Sequence, residues 1–215
     1  MNGRKNSHSC IYFSGNSHYV DVDVTAICSV THNCIGCQGD SKCCCSSYEV
    51  CISSSELTKI IGCIPDAAKF CPHLKSHNGY ENVFEQIGLN LFRIDTAANG
   101  LCVFAYSKDN KTLCSLHSVS INLGVSVHQV KPKTCLIWPL AISEGKRGIL
   151  SMHEDVLEFR CNAQNHNDSL SLCPNIGRIV ESAFGQRFRC ELGSAANKGL
   201  HRTKIPLHGP IAGEL

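Results

Sequence analysis

Alternation of apolar and polar side chains predicts a β-strand near the start of this chain, and the sequence offers three further strand candidates. Residues 19–24 (Tyr-Val-Asp-Val-Asp-Val) change between the two classes at nearly every position, which is the period-two pattern of a strand with one buried face. Residues 89–94 form a second candidate. Two further strands are predicted over 148–152 and 155–159, joined near His153.

A hairpin is predicted in the middle of the chain. Residues 101–106 and 112–115 are rich in apolar and β-branched side chains, and they flank the polar stretch 108–111, which has the composition of a turn. A turn is also predicted around Cys71 and Pro72.

Helical spacing appears first after Ser53. The serine and Glu56 have the spacing of a capping box, and apolar residues follow at helical intervals. We expect this helix to end near Gly62 or Pro65, since glycine is a poor helix former and proline cannot donate its backbone hydrogen bond.

Two later helices carry clear boundary signals. Residues 116–123 precede Gly124, a typical C-terminal stop. Pro174 is a favourable first helical residue. The helix that it begins has one apolar face, made of Ile176, Ile179, Val180, Ala183 and Phe184.

These elements predict an α+β fold that is small and loop-rich, with short strands and a few helices. The length of 215 residues suits one domain. We assign residues 1–18 to a flexible leader, 19–192 to the domain and 193–215 to a C-terminal tail, either disordered or docked in extended form.

The candidate chemistry lies in the cysteines. The chain has 16, and Cys34, Cys37, Cys43, Cys44 and Cys45 fall within one short stretch. Thiolates are favoured ligands of zinc and of iron–sulfur clusters. A C-x2-C pair alone also fits a redox dithiol, but Gln-Gly-Asp follows Cys37 where that alternative needs a helix. The group therefore predicts a metal centre with the fold organised around it.

The three adjacent cysteines raise a geometric question. Neighbouring side chains of an extended segment point to opposite faces. We therefore expect that one of Cys43, Cys44 and Cys45 does not bind the same ion as the others, or that it serves a second metal.

Isolated cysteines supply further candidate ligands. Cys102 and Cys114 lie near the two ends of the predicted hairpin, Cys135 precedes a Trp-Pro turn, and Cys173 precedes a helix whose dipole stabilises a thiolate. Each could instead be a small buried hydrophobe. The reserve ligands are Cys28 and Cys161. The case for ligation is weaker for Cys10, Cys51, Cys63, Cys71 and Cys190.

Other chemistry has little support in the sequence. His117, His128 and His153 could bind metal, but the histidines lack the usual ligand spacings, and a surface or hydrogen-bonded role is the simpler interpretation. Nucleotide-binding motifs and serine nucleophile motifs are absent from the sequence. Any of the cysteines could be a nucleophile, yet nothing singles one out, so whether the protein is an enzyme stays open.

Charge and hydropathy restrict the expected partners and cellular location of the protein. The net charge is +2 with scattered basic residues, which argues against a nucleic-acid partner. The chain shows neither a signal peptide nor a membrane-spanning apolar run. We therefore expect a cytoplasmic protein, where cysteines stay reduced and bind metal more often than they form disulfides.

Several motifs resemble the CxxCxxCC family of zinc- or iron-chelating domains. The cysteines from Cys34 to Cys45 resemble its front cluster, and residues 100–104, 114–117 and 131–139 resemble its G-x-C-x-[FY], C-x-[IL]-[YH] and [RK]-P-x-x-C-x-x-[YFW]-P segments. Cys173-Pro is similar to the end of the pattern. The chain departs at the front, where five residues separate Cys37 from Cys43 and the family usually has two.

The resemblance implies a metal-binding protein. The predicted ligands are Cys34, Cys37, Cys43, Cys44, Cys45, Cys102, Cys114, Cys135 and Cys173. The near absence of histidine from the motifs favours an iron–sulfur cluster, most simply [4Fe–4S], with a redox, electron-transfer or cluster-dependent role and a protein partner. The alternative is a zinc-stapled structural or protein-interaction module without redox activity.

Overall fold

The structure, a computed structural model, describes residues 19–34, 37–38, 43–75, 83–143, 148–166 and 170–207. The predicted leader lies outside these ranges. The helices are α1 (Val24–Cys28), α2 (Cys44–Ser47), α3 (Ser54–Ala67), α4 (Ser115–Leu123), α5 (Lys133–Ile137), α6 (Pro174–Phe184) and α7 (Gln186–Asn197). The strands are β1 (Tyr19–Asp23), β2 (Val30–His32), β3 (Cys37–Gln38), β4 (Cys51–Ser53), β5 (Phe84–Gly88), β6 (Leu91–Ile94), β7 (Ala105–Lys108), β8 (Lys111–Cys114), β9 (Leu140–Ile142), β10 (Ile149–Met152), β11 (Asn162–Gln164) and β12 (Arg202–Pro206). The fold class is α+β, as predicted.

The described residues form two compact units. Unit 1 comprises residues 43–132. Unit 2 comprises the described residues before position 43 and those after position 132. The nine predicted ligands are thus divided between two units, whereas the sequence pattern predicts a single domain. Within the described ranges, no helix has both the length and the apolar character needed to cross a bilayer.

Unit 2 contains a four-stranded sheet in the order β12-β1-β10-β9. Strand β1 runs parallel to β10 and antiparallel to β12. The predicted alternation of β1 is confirmed, since Val20 and Val22 are each 1% exposed, whereas Asp21 and Asp23 are partly exposed. Strands β2 and β11 form a separate antiparallel pair.

The core of unit 2 lies between this sheet and the helices. The predicted helix α6 is confirmed, and its Phe184 stacks on Phe188 of α7 with ring centroids 4.9 Å apart. Helix α7 has no counterpart in the sequence analysis and continues past residue 193. Strand β12 then pairs with β1 along its whole length. Much of the predicted tail is thus built into unit 2, because β12 supplies hydrogen bonds to a strand that would otherwise be an open edge.

Two local expectations for unit 2 need correction. The first strand ends at Asp23, because the Asp23 carboxylate accepts a hydrogen bond from Ala26 N at 2.9 Å and starts α1. Residues 155–159 were expected to be a strand, yet Val156–Glu158 is a 3₁₀ turn. Val156 and Phe159, three residues apart, are both buried there, a spacing that suits a turn rather than a strand.

Unit 1 is built on a three-stranded sheet in the order β4-β6-β5 and on the β7–β8 hairpin. The predicted strand near residue 91 is β6. The hairpin is confirmed, although its first strand begins only at Ala105. Asp109 and Asn110 connect the strands with φ angles of 51° and 59°, which residues of these types tolerate better than most.

The capping box of α3 forms as predicted. Ser53 Oγ accepts a hydrogen bond from Glu56 N at 3.3 Å, and the Glu56 carboxylate accepts one from Ser53 N at 2.9 Å. The predicted end at Gly62 or Pro65 is wrong, since the helix continues to Ala67. Burial of Ile64 and Ala67 (3% and 0% exposed) offsets the hydrogen bond that proline removes.

Helix α4 begins at the end of the hairpin and packs against α3. It stops at Gly124, whose φ of 65° is the left-handed conformation that glycine adopts without strain. The predicted stop signal is confirmed.

Candidate metal centre

A single helical turn gathers three of the predicted ligands. Cys43 precedes α2, and Ser46 holds the turn by donating from its backbone N and from its Oγ to Cys43 O, at 3.0 and 2.9 Å. The sulfur atoms of Cys43, Cys44 and Cys45 all lie within 4.8 Å of one another. The expectation that adjacent thiols diverge assumed an extended segment, and the helical backbone removes that assumption.

Cys102 lies beside this turn. Its backbone N donates to Cys45 O at 2.8 Å. Cys102 also forms an isolated β-bridge with Thr96, which fixes the loop before the hairpin. The two sequence segments that carry Cys45 and Cys102 are thus held together by their backbones.

The hairpin brings in Cys114. In the β7–β8 ladder Cys114 is paired with Ala105, and Ala105 N donates to Cys102 O at 2.8 Å. The predicted proximity of Cys102 and Cys114 agrees with this register, because both lie next to the same alanine.

A sixth thiol, Cys71, joins these residues in unit 1. Its Sγ donates to Ala105 O at 3.6 Å, and the residue is completely buried. The following 3₁₀ turn, Pro72–Leu74, is held by His73 Nε2, which donates to Val103 O at 2.7 Å. The sequence analysis placed Cys71 among the weaker candidates. One available signal is its Cys-Pro dipeptide, which also occurs at Cys173.

We refer to Cys43, Cys44, Cys45, Cys71, Cys102 and Cys114 together as the unit 1 thiol cluster. Five of its six members are among the nine predicted ligands. No disulfide links Cys44, Cys45, Cys71, Cys102 or Cys114. Cys43 is buried, and four other members are partly exposed: Cys44, Cys45, Cys102 and Cys114. Solvent can therefore reach part of the cluster.

Proximity strongly disfavours ionisation of these thiols in the absence of a cation. Hydrogen bonds with Cys43 and Cys45 raise the pKa of Cys44. Burial and repulsion from charge at the same two cysteines raise it further. Hydrogen bonding with Cys43, together with burial and the charge at Cys114, raises the pKa of Cys45. Burial and the charge at Cys45 raise the pKa of Cys102, which the N–H of Phe104 partly offsets.

Cys71 and Ser115 form the inner part of the same region. Burial raises the pKa of Cys71, the Ser115 hydroxyl opposes that shift by favouring the thiolate, and a charge at Cys114 adds to it. Ser115 is 0% exposed. Ser115 Oγ has no hydrogen-bond partner among the described residues.

The donor set fits a soft metal. Thiolates are the natural ligands of zinc and iron–sulfur centres, and a cation relieves the repulsion that keeps the thiols protonated. Within the described part of the chain, Cys43, Cys44 and Cys45 are the group of three potential ligands whose donor atoms lie within 4.8 Å of one another. Unit 1 is therefore a cysteine-rich body with a cluster that can bind a metal.

Unit 2 holds the remaining four predicted ligands. Cys173 is the N-cap residue of α6, as the sequence predicted, and its Sγ accepts a hydrogen bond from His32 N at 3.4 Å. Asn175 Nδ2 donates to His32 O at 2.6 Å and holds the same strand against the helix start. His32 is buried, and its Nδ1 hydrogen-bonds Asn162 Oδ1 at 2.6 Å.

The other unit 2 cysteines differ widely in exposure. Cys34 is exposed, and Cys37 and Cys135 are partly buried, in β3 and α5. Of the two reserve ligands, Cys28 is 2% exposed within the apolar core and Cys161 is partly buried. Burial raises the pKa of Cys28 to about 11, which favours a packing role for it.

The three candidate histidines belong to no group of three potential ligands within 4.8 Å among the described residues. Burial lowers the pKa of His117, His128 and His153, with the charge of Lys131 adding to the shift at His117 and acidic neighbours opposing it at His153. They are therefore neutral near pH 7.

Comparison with known proteins returns no relative. No family model matches the chain, and no match is found among curated proteins or among solved structures.

Proposed function

We propose that this chain is a metal-binding protein of the CxxCxxCC kind, which carries an iron–sulfur cluster on cysteine thiolates of unit 1. The observation that carries the proposal is the convergence of Cys43, Cys44, Cys45, Cys102 and Cys114 from three separate segments of sequence. An all-cysteine set of this size is the ligand type of a [4Fe–4S] cluster, which uses four thiolates.

The protein's own groups have definite tasks in this proposal. Cys102 and Cys114 come from segments of sequence other than the α2 turn, which suits a cluster whose ligands bind different iron atoms. The Phe104 N–H favours the thiolate of Cys102, and hydrogen bonds to ligand sulfurs adjust the reduction potential of such centres. Partial exposure of Cys45 and Cys114 leaves a route for electrons to a protein partner.

A zinc-stapled interaction module is the second candidate. It is favoured by the 4.8 Å limit on the three sulfur separations at Cys43, Cys44 and Cys45. Four thiolates at a Zn–S distance of about 2.3 Å stand about 3.8 Å apart, so a single ion fits these three sulfurs after a small adjustment. Cys102, whose backbone N donates to Cys45 O, is then the candidate for a fourth ligand.

The test is metal analysis of the full chain, purified without oxygen. Iron and sulfide in equal amounts, with a broad absorption band near about 400 nm that dithionite bleaches, support the iron–sulfur proposal. Zinc without sulfide supports the second candidate. A wild-type chain that holds neither metal, and takes up neither when supplied under reducing conditions, refutes both.

The matched variants are Cys45→Ala and Cys190→Ala. Cys190 is an exposed thiol on α7, so its removal leaves metal content at the wild-type level. We expect Cys45→Ala to lose at least half of the bound metal. Equal losses in the two variants contradict the assignment to unit 1.

A further inference from the structure

Three cysteines of unit 1 meet at one backbone position, Ala105. Cys71 Sγ donates to Ala105 O at 3.6 Å, Ala105 N donates to Cys102 O at 2.8 Å, and Cys114 is the cross-strand partner of Ala105. Two of these residues carry sequence motifs of a chelating protein. The third, Cys71, follows α3, and its only signal in the sequence is the Cys-Pro dipeptide.

Ser115 gives an independent indication of a ligand at this position. The residue is 0% exposed, and its hydroxyl has no hydrogen-bond partner among the described residues. Its backbone N donates to Phe104 O at 2.8 Å, which anchors the start of α4 next to the same hairpin strand. A buried hydroxyl without an acceptor is unfavourable. A metal-bound Cys71 thiolate would accept a hydrogen bond from this hydroxyl and so give it a partner.

We propose that Cys71 is a further metal ligand of the unit 1 centre, and that Ser115 donates a hydrogen bond to the ligating Cys71 sulfur. This inference rests on the proposed metal-binding function. The site takes a soft, thiophilic metal, either zinc or an iron–sulfur cluster, because its donors are sulfur atoms in a largely buried setting.

With Cys71 included, the unit 1 thiol cluster offers six candidate ligands, more than the four that a single ion or cluster needs. The Cys43–Cys45 turn supplies three of them, and Cys71, Cys102 and Cys114 are the other three. Unit 1 can thus complete a four-thiolate centre with its own cysteines alone.

The experiment compares two variants of the full chain, purified without oxygen. Cys71→Ala removes the proposed ligand, and Cys63→Ala removes a partly exposed thiol on α3 of the same unit. We expect Cys63→Ala to match the wild type in metal per chain and in absorption spectrum. We expect Cys71→Ala to hold at least twofold less metal while its far-ultraviolet circular dichroism stays at the wild-type level.

Wild-type metal content and spectrum in a folded Cys71→Ala variant overturn the inference and leave the proposed function standing. A wild-type chain that binds no metal overturns both. Ser115→Ala supplies a second readout, because loss of the hydrogen bond should shift the sulfur-to-metal charge-transfer band with metal content retained. An unshifted band removes the serine from the proposal.

Cys71→Ala leaves a buried gap and could fail to fold. In that event the wild-type chain is loaded with ¹¹³Cd and its cysteine Hβ resonances are examined for coupling to the metal. Coupling at Cys102 is the internal reference. Coupling at Cys71 supports the inference, and coupling at Cys102 without any at Cys71 overturns it.

Discussion

Replacing Cys28 by alanine tests whether this thiol belongs to the core or to a metal centre. Cys28 is the last residue of α1 and is 2% exposed among apolar side chains of unit 2. Burial raises its pKa from 9.0 to about 11. Below pH 9 the thiol is protonated in both the folded and the unfolded chain, so its contribution to stability is complete there.

The sign and the size of the effect follow from proton linkage. Between pH 9 and pH 11 the unfolded chain loses the Cys28 proton while the folded chain keeps it, so stability falls as the pH rises. At about 1.36 kcal/mol per pKa unit, the loss from this group between pH 8 and pH 10 is about 1.3 kcal/mol. Cys28→Ala removes this loss. It also lowers stability by about 1 kcal/mol at every pH through lost packing.

The assay is urea unfolding at pH 8 and pH 10 under reducing conditions. The fluorescence of Trp138 monitors the unfolding. Trp138 is the single tryptophan of the chain, and it packs edge-on against Phe159 in unit 2 with ring centroids 4.8 Å apart. Cys190→Ala, which removes an exposed thiol of the same unit, should keep the wild-type dependence on pH. An unchanged dependence in Cys28→Ala refutes the reasoning, and loss of bound metal in that variant would make Cys28 a ligand.

Four further outcomes are expected. Ser53→Ala should lower the free energy of unfolding of unit 1 by about 1 kcal/mol, whereas Ser53→Thr keeps the cap. Equal stabilities of the two variants in calorimetry would contradict the role of the capping box. Phe184→Ala should destabilise unit 2 by about 3–5 kcal/mol, because the ring is 0% exposed and stacked; a loss below about 1 kcal/mol in urea unfolding would show that it is not a core side chain. Gly124→Ala should cost about 1 kcal/mol, from strain at φ 65° alone, because nothing lies within 4 Å of the added methyl; a neutral result in thermal unfolding excludes that strain. Zinc affinity of the unit 1 thiol cluster should rise at least about tenfold per pH unit from pH 6 to pH 8, because raised thiol pKa values make binding displace protons, and a pH-independent titration refutes this.

Local signals identified several elements of the fold. Strand β1, the capping box at Ser53, the stop at Gly124 and the start of α6 at Pro174 each rest on a few adjacent residues whose preferences do not depend on the rest of the chain. Where tertiary contacts outweighed those preferences, the predictions failed. Helix α3 passes through Pro65 because its last turn is buried.

The two-unit organisation had no local signal. Unit 2 combines a segment before position 43 with one after position 132, and the parallel pairing of β1 with β10 joins residues that are far apart in sequence. The extended strand β12 is stabilised by hydrogen bonds to β1 rather than by its own composition. Such pairings depend on the whole chain, so hydropathy of a short window could not reveal them.

The sequence by itself determined the donor atoms of the candidate metal site, which are cysteine sulfurs. Clustered cysteines, few competing motifs and a Cys-rich pattern indicate thiolate ligands for a soft metal, because ligand preference belongs to the side chain and not to its surroundings. Only the tertiary structure decided which thiols meet. A helical turn brings together Cys43, Cys44 and Cys45. The hairpin register places Cys114 beside the segment of Cys102, and Cys71, which follows α3, contacts the same hairpin. Distances between side chains are set by backbone path and packing, and these are properties of the folded chain alone.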